Sequence, residues 1–155
     1  MERFDTHDGK HVVVRLDDGE PLLESLQALA AAGDLAPAAI VCGVGALRRL
    51  HVHVPTVTTA PPQSRFLVVE EPLELCTVAG MITDRQTHVN VTASNGEQTW
   101  GGHLEPGTLV LYLAEIVLQR LDADLTHVTD ERQLPVLSRR EGGGLTPYPT
   151  LPRSR

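Results

Sequence analysis

Apolar and polar positions alternate along most of the chain, and only one stretch breaks that rhythm for long enough to form a helix. Met1–Thr6 and His11–Leu16 flank His7-Asp8-Gly9-Lys10, and an Asp-Gly pair between two such runs predicts a hairpin. Asp17-Asp18-Gly19 closes the second strand. In the next segment Leu22, Leu26 and Leu29 recur at helical spacing, with Leu23 and Ala30 beside them. Pro21 suits a first turn, Glu20 and Glu24 complement the positive end of the helix, and Gly33 stops it.

Strands follow. Ala38–Val44 is a short apolar run with β-branched members, read as a buried strand, and Gly43 and Gly45, flanking Val44, predict a bulge or a close backbone approach. Leu50–Val54 reads as a separate strand with His51 and His53 on one face. Three prolines and three threonines make 55–64 a loop. Phe66–Val69 and Leu73–Ile82 are two more strands, divided by Glu71-Pro72. His88–Ala93 pairs with Gln98–Leu104 through Ser94-Asn95-Gly96. Thr108–Leu121 has no polar helical face, and its alternation predicts a long buried strand. From Asp122 the pattern fades, and Arg139–Arg155, with Gly142-Gly143-Gly144 and later prolines, reads as an extended tail. The expected organisation is a domain over 1–125 and a C-terminal extension over 126–155, extended or partly ordered. The fold class is α+β: a mainly antiparallel sheet packed around one principal helix.

Composition changes this picture in three ways. Aromatic residues are only 3% of the 155, so aliphatic side chains must fill the core. The formal net charge is −7 and Lys10 is the only lysine, a balance that repels phosphate and argues against strong DNA binding. No apolar run approaches the length that spans a bilayer, and the first residues carry no apolar leader, so a cytoplasmic protein with no membrane partner is expected. Cys42 and Cys76 both sit in apolar runs and read as buried, reduced thiols.

Three segments carry a resemblance. Ala39-Ile40-Val41-Cys42-Gly43-Val44-Gly45-Ala46-Leu47, Glu71-Pro72-Leu73-Glu74-Leu75 and Trp100-Gly101-Gly102-His103-Leu104, with the opening hairpin and the Gly19-Glu20 helix start, resemble the PPC domain (plants and prokaryotes conserved) over roughly residues 2–122. The resemblance implies an α+β fold and a homotrimer. Its plant members carry an AT-hook that contacts DNA; no Arg-Gly-Arg-Pro hook is present here. Bacterial members are often labelled as DNA-binding, which makes a regulatory or DNA-associated protein acting through assembly the alternative function. The fold also resembles that of acetolactate decarboxylase, which holds zinc through His-x-His…His.

The candidate chemistry follows from that pattern. Many bacterial members have His-x-His on one strand and Gly-Gly-His on the next, and alternate residues of a strand share a face. Here the matching positions are His88 and His103. If His88 is the first of the pair, Asn90 stands where the second histidine would be; if it is the second, Gln86 replaces the first. The reading therefore divides between a divalent-metal site, zinc or another, with His88 and His103 as ligands, and a polar small-molecule pocket lined by His88, Asn90 and His103. Glu115, a lone acid in an apolar run, is either a ligand or base beside the histidines or a structural ion pair with Arg48 or Arg85. His51-Val52-His53 also has ligand spacing; it reads first as a half-exposed strand face, with a metal role the lesser alternative, and Arg48-Arg49 reads as a solvated pair. Gly101-Gly102 is expected to let backbones approach closely. Nothing in the chain names a reaction or a substrate, so enzymatic activity stays open.

Overall fold

Two features set the order of the first elements: a turn that reverses the chain and a helix that ends on a glycine. In the computed structural model, which describes residues 1–35, 37–141 and 144–147, β1 (Glu2–Asp5) and β2 (His11–Asp17) pair antiparallel with Phe4 opposite Val13. The Asp8 carboxylate accepts hydrogen bonds from the Lys10 N–H and the Thr6 hydroxyl, and this organises the turn. α1 (Leu22–Ala32) buries Leu22, Leu23, Leu26, Leu29 and Ala30. Gly33 ends it in the left-handed region at φ 85°, and its N–H bonds the Ala30 carbonyl.

The regions 38–44 and 50–54 do not form two strands. They are parts of one strand, β3 (Ala38–Pro55), whose irregular register absorbs the change in twist. Shifts fall between Ile40 and Cys42, between Gly45 and Ala46 and between Leu47 and Arg49, and the second lies at the glycine pair that predicts it. Gly45, at φ 152°, lies so close to β8 (Leu109–Arg120) that a Cβ would sit 2.4 Å from the Leu113 carbonyl oxygen. The length of β3 matters because it changes neighbours. Its first half lies between β8 and β5 (Leu73–Thr83), and its second half between β4 (Ser64–Val69) and β7 (Thr99–Leu104).

The strand order is β1-β2-β8-β3-β5-β6-β7, with β6 spanning Gln86–Ser94, and the β3–β7 pairing turns the sheet back on itself. One continuous core of Leu, Val, Ile and Ala side chains joins the inner face of this curled sheet to α1. The helix is a small part of the molecule, and the sheet dominates. Buried and exposed positions alternate along β6, where Val89, Val91 and Ala93 point inward and His88 and Asn90 outward.

Several expectations need correction. Cys42 and Cys76 are free thiols, as expected, but exposed rather than buried, because the apolar runs holding them cover one face of the sheet only. β8 is likewise buried on one side, through Val110, Ala114, Ile116 and Leu118, while Tyr112 and Leu113 are exposed. Arg48 pairs with Asp18 and also reaches the Val110 carbonyl, and Arg49 bonds Glu70, so neither arginine is a freely solvated charge. The region read as a fading pattern and tail holds a second, three-stranded sheet of β9 (Leu125–Thr129), β10 (Pro135–Glu141) and β11 (Gly144–Pro147). The rest of that tail lies outside the described residues.

Candidate metal centre

A row of rings crosses four strands on the outer face of the sheet. From β4 to β6 it runs Phe66, His53, His103, His88, with successive ring centroids 5.5, 4.7 and 4.9 Å apart. Register produces the row. His53 of β3 lies directly opposite His103 of β7, and His103 lies opposite Asn90 of β6, so His88 is its diagonal neighbour two residues along. The Asn95-Gly96 turn sets the second pairing, with Asn95 Oδ1 accepting from the Glu97 and Gln98 N–H groups. Two glycines permit the close approach. A Cβ on Gly102 would sit 2.5 Å from the His53 carbonyl oxygen, and one on Gly80 would sit 2.1 Å from that of His88.

Two of the anticipated site residues, His88 and His103, therefore meet edge to face, with Asn90 on the same side of the sheet. Glu115 does not join them. It is exposed on β8, opposite Arg15 and Val44, and pairs with neither Arg48 nor Arg85. Val44 and His53 are nine residues apart on β3, roughly 30 Å along an extended strand. An acid in an apolar run signalled burial only on the assumption that both faces of β8 were covered.

The acid beside the histidines is Glu105, which follows β7. Its Oε1 lies 2.5 Å from His53 Nδ1. Ligand atoms of His53, His103 and Glu105 all lie within 4.8 Å of one another, and all three residues are half-buried. Two imidazoles and a carboxylate match a zinc donor set that leaves one coordination position open. His53, on β3, stands beside His103 on the side opposite His88. The His-x-His spacing at 51 and 53 was the available signal for it. His51 itself is engaged elsewhere, its Nδ1 2.8 Å from the Pro106 carbonyl oxygen.

Electrostatics suit a neutral ligand. Burial, and then the neighbouring imidazoles of His53 and His88, push His103 below the ordinary histidine value, with Glu105 opposing. Its ring is then mostly uncharged at neutral pH, with a lone pair available for a cation.

Residues 4–122 match the family described as the Plants and Prokaryotes Conserved (PCC) domain. The chain belongs to this family. The PCC fold is shared with solved structures of low sequence identity. A candidate DNA-binding protein from Bacteroides thetaiotaomicron superposes with a TM-score of 0.75 at 15% identity, covering 88% of this chain and 97% of that one. A metal-containing protein from Archaeoglobus fulgidus gives 0.66 at 22% identity, covering 86% and 95%. Among curated proteins, the bifunctional protein GlmU of a Synechococcus strain is 31% identical over 106 residues. That match takes in 68% of this chain but only 16% of that protein. The PCC match ends at 122, before the C-terminal sheet begins.

Proposed function

We propose that this PCC-domain protein is a homotrimeric divalent-metal-binding protein whose site is His53, His103 and Glu105, flanked by His88. The observation that carries the reading is the convergence of two imidazoles and a carboxylate from β3 and the end of β7. With a metal bound there, the open position would bind and polarise a water or a small ligand. The chain's own contribution is positional. Glu105 orients His53 through Nδ1, and the β3–β7 register holds His103 against it. The metal-containing neighbour from Archaeoglobus fulgidus, alike in fold, supports the reading.

Support for assembly comes from the outer face of the sheet. Val41, Val44 and Leu113 are 51%, 52% and 43% exposed and Tyr112 is 73% exposed, an apolar surface of the kind that association covers. A DNA-associated role is the second reading, favoured by the candidate DNA-binding neighbour. The formal charge of −7 weighs against it.

Zinc titration of chelator-treated protein tests the metal reading. Binding with a Kd below about 10 μM that weakens at least tenfold in His53→Ala is expected. Absence of binding, or wild-type affinity in that variant, would refute it. Duplex binding tighter than about 1 μM at about 150 mM salt would instead favour the DNA reading.

A further inference from the structure

The loop that joins β7 to β8 is short, Glu105-Pro106-Gly107-Thr108, and carries Glu105 at its first position. Proline followed by a glycine at φ 86° is the signature of a tight type II turn. Both ends of the turn are held to β3. The Glu105 N–H donates to the His51 carbonyl at 2.9 Å. The buried Thr108 hydroxyl donates to the same carbonyl and accepts from the His51 N–H. These bonds use the main chain of His51 and leave the middle of the turn to other groups.

The middle is held at Gly107. Its N–H finds an acceptor in a side chain 83 residues away, Glu24 Oε1 of α1, at 2.9 Å. Its carbonyl accepts from Arg49 Nη1 of β3 at 2.5 Å. One residue is thus gripped by an acid of the helix and a base of the strand. The first turn of α1 also meets the loop through its main chain, with the Leu22 N–H donating to the Thr108 carbonyl at 2.9 Å.

The placement of Glu24 is unfavourable in itself. Its Oε2 is buried and makes no hydrogen bond, and removing a carboxylate oxygen from water without a donor costs free energy. The positive end of α1 favours an acid in the first turn, but an exposed carboxylate there would gain that benefit without desolvation. What the buried position adds is the bond to Gly107.

We infer that Glu24 is a positioning residue for the metal centre: by fixing Gly107 it sets where the Glu105 carboxylate stands against His53 and His103. The inference rests on reading His53, His103 and Glu105 as that centre, and adds that α1 supports it without supplying a ligand. Glu105 lies two residues before Gly107, and its Oε1 is 2.5 Å from His53 Nδ1. A displacement of the turn by about 1 Å would take that contact beyond hydrogen-bond range.

The test uses the full chain, freed of metal by chelation and titrated with zinc. Glu24→Ala should weaken zinc affinity about tenfold, the loss expected when a group supporting a metal ligand is removed. Glu24→Gln should retain most of the parent's affinity, because its amide oxygen accepts the same bond from Gly107. Ala30→Gly, buried on the same helix and away from the turn, should lower the denaturation midpoint and leave zinc affinity unchanged. That control separates positioning from general weakening of α1. Unchanged affinity in Glu24→Ala would overturn the inference. So would equal losses in Glu24→Ala and Ala30→Gly, or a loss in Glu24→Gln as large as in Glu24→Ala.

The imidazole nitrogen resonances of His53 in the metal-free protein supply a readout independent of zinc. They should shift in Glu24→Ala, where the Glu105 contact loosens, and stay in place in Ala30→Gly. A parent that binds no zinc removes the metal centre, and the His53 resonances then decide the positioning role: no shift in Glu24→Ala ends it as well. Zinc binding by the parent that Glu24→Ala matches leaves the metal centre standing and removes this inference.

Discussion

His53 and His103 lie directly opposite one another on β3 and β7, with ring centroids 4.7 Å apart. Fifty residues of chain separate them, and the contact exists because β3 is long enough to leave β5 and pair with β7. This pairing places an imidazole on one side of His103 while His88 stands on the other. The sheet brings three imidazoles into one row even though Asn90 stands on β6 where the family resemblance implies a second histidine.

The division of labour between His51 and His53 follows from their partners. His53→Ala should reduce zinc affinity by at least tenfold, and Glu105→Gln by about 10- to 100-fold, since the carboxylate also orients His53. His51→Ala should leave it unchanged, because the His51 ring is bonded to the Pro106 carbonyl. Competition with a chromophoric chelator would measure all three. Equal losses in His51→Ala and His53→Ala would point to a general effect on β3.

Gly102 is required by sterics at the same crossing. Gly102→Ala places a methyl 2.5 Å from the His53 carbonyl oxygen, a clash with backbone that cannot be relieved by turning a side chain. The β3–β7 pairing should open, costing about 1–3 kcal/mol of stability and the zinc site together. Denaturant unfolding and zinc titration of the one variant provide the check.

Tyr112 combines 73% exposure with a left-handed backbone at φ 63°, a conformation that costs a non-glycine residue of order 1 kcal/mol or more. In an isolated chain, Tyr112→Gly should be stabilising. In the trimer it should remove an aromatic contact and favour dissociation. Light scattering is expected to give three times the 16.8 kDa chain mass for the parent and a smaller, concentration-dependent mass for the variant. A parent mass of one chain at micromolar concentration would contradict the trimer.

Asp5 is held by the Arg3 and Arg120 guanidinium groups, which lower its carboxyl pKa to about 2. A depressed folded-state value means that this contribution to stability is complete above the unfolded value near 3.8 and is lost as pH falls through about 2. Arg120→Gln should raise the Asp5 pKa toward its ordinary value, read by carboxyl NMR. A value unchanged from the parent would show that Arg3 alone sets it.

Asp84 anchors the second sheet. Burial pushes its carboxyl upward, but the His127 N–H, the Thr126 hydroxyl and Arg140 outweigh that and leave it below the ordinary value. Stabilisation by this group is therefore present above about pH 4 and fades below it. Asp84→Ala should speed amide exchange in β9 and β10, by about 1–2 kcal/mol in local opening, with β2 and β8 unaffected. Uniform acceleration across both sheets would instead indicate global destabilisation.

Local chemistry alone determined much of this protein. Asp8-Gly9 and Asn95-Gly96 specify turns, the leucine spacing and Gly33 specify α1, and the alternation in β6 and β8 specifies strands, because each depends on interactions among near neighbours. The facing of His88 toward His103 was legible for the same reason, since one short turn sets their register. Period-two alternation names two faces of a strand but does not say which is covered. That is why Cys42, Cys76 and Glu115 read as buried and are exposed. The tertiary structure alone decided the rest. It joined 38–44 and 50–54 into β3, brought His53 to His103 and Glu105, and seated His127 against Thr83. The contacts of His53 with His103 and Glu105, and of Thr83 with His127, join residues 44 to 52 apart in the chain, and a fold that closes a sheet through a β3–β7 pairing is a long-range outcome that no local pattern encodes.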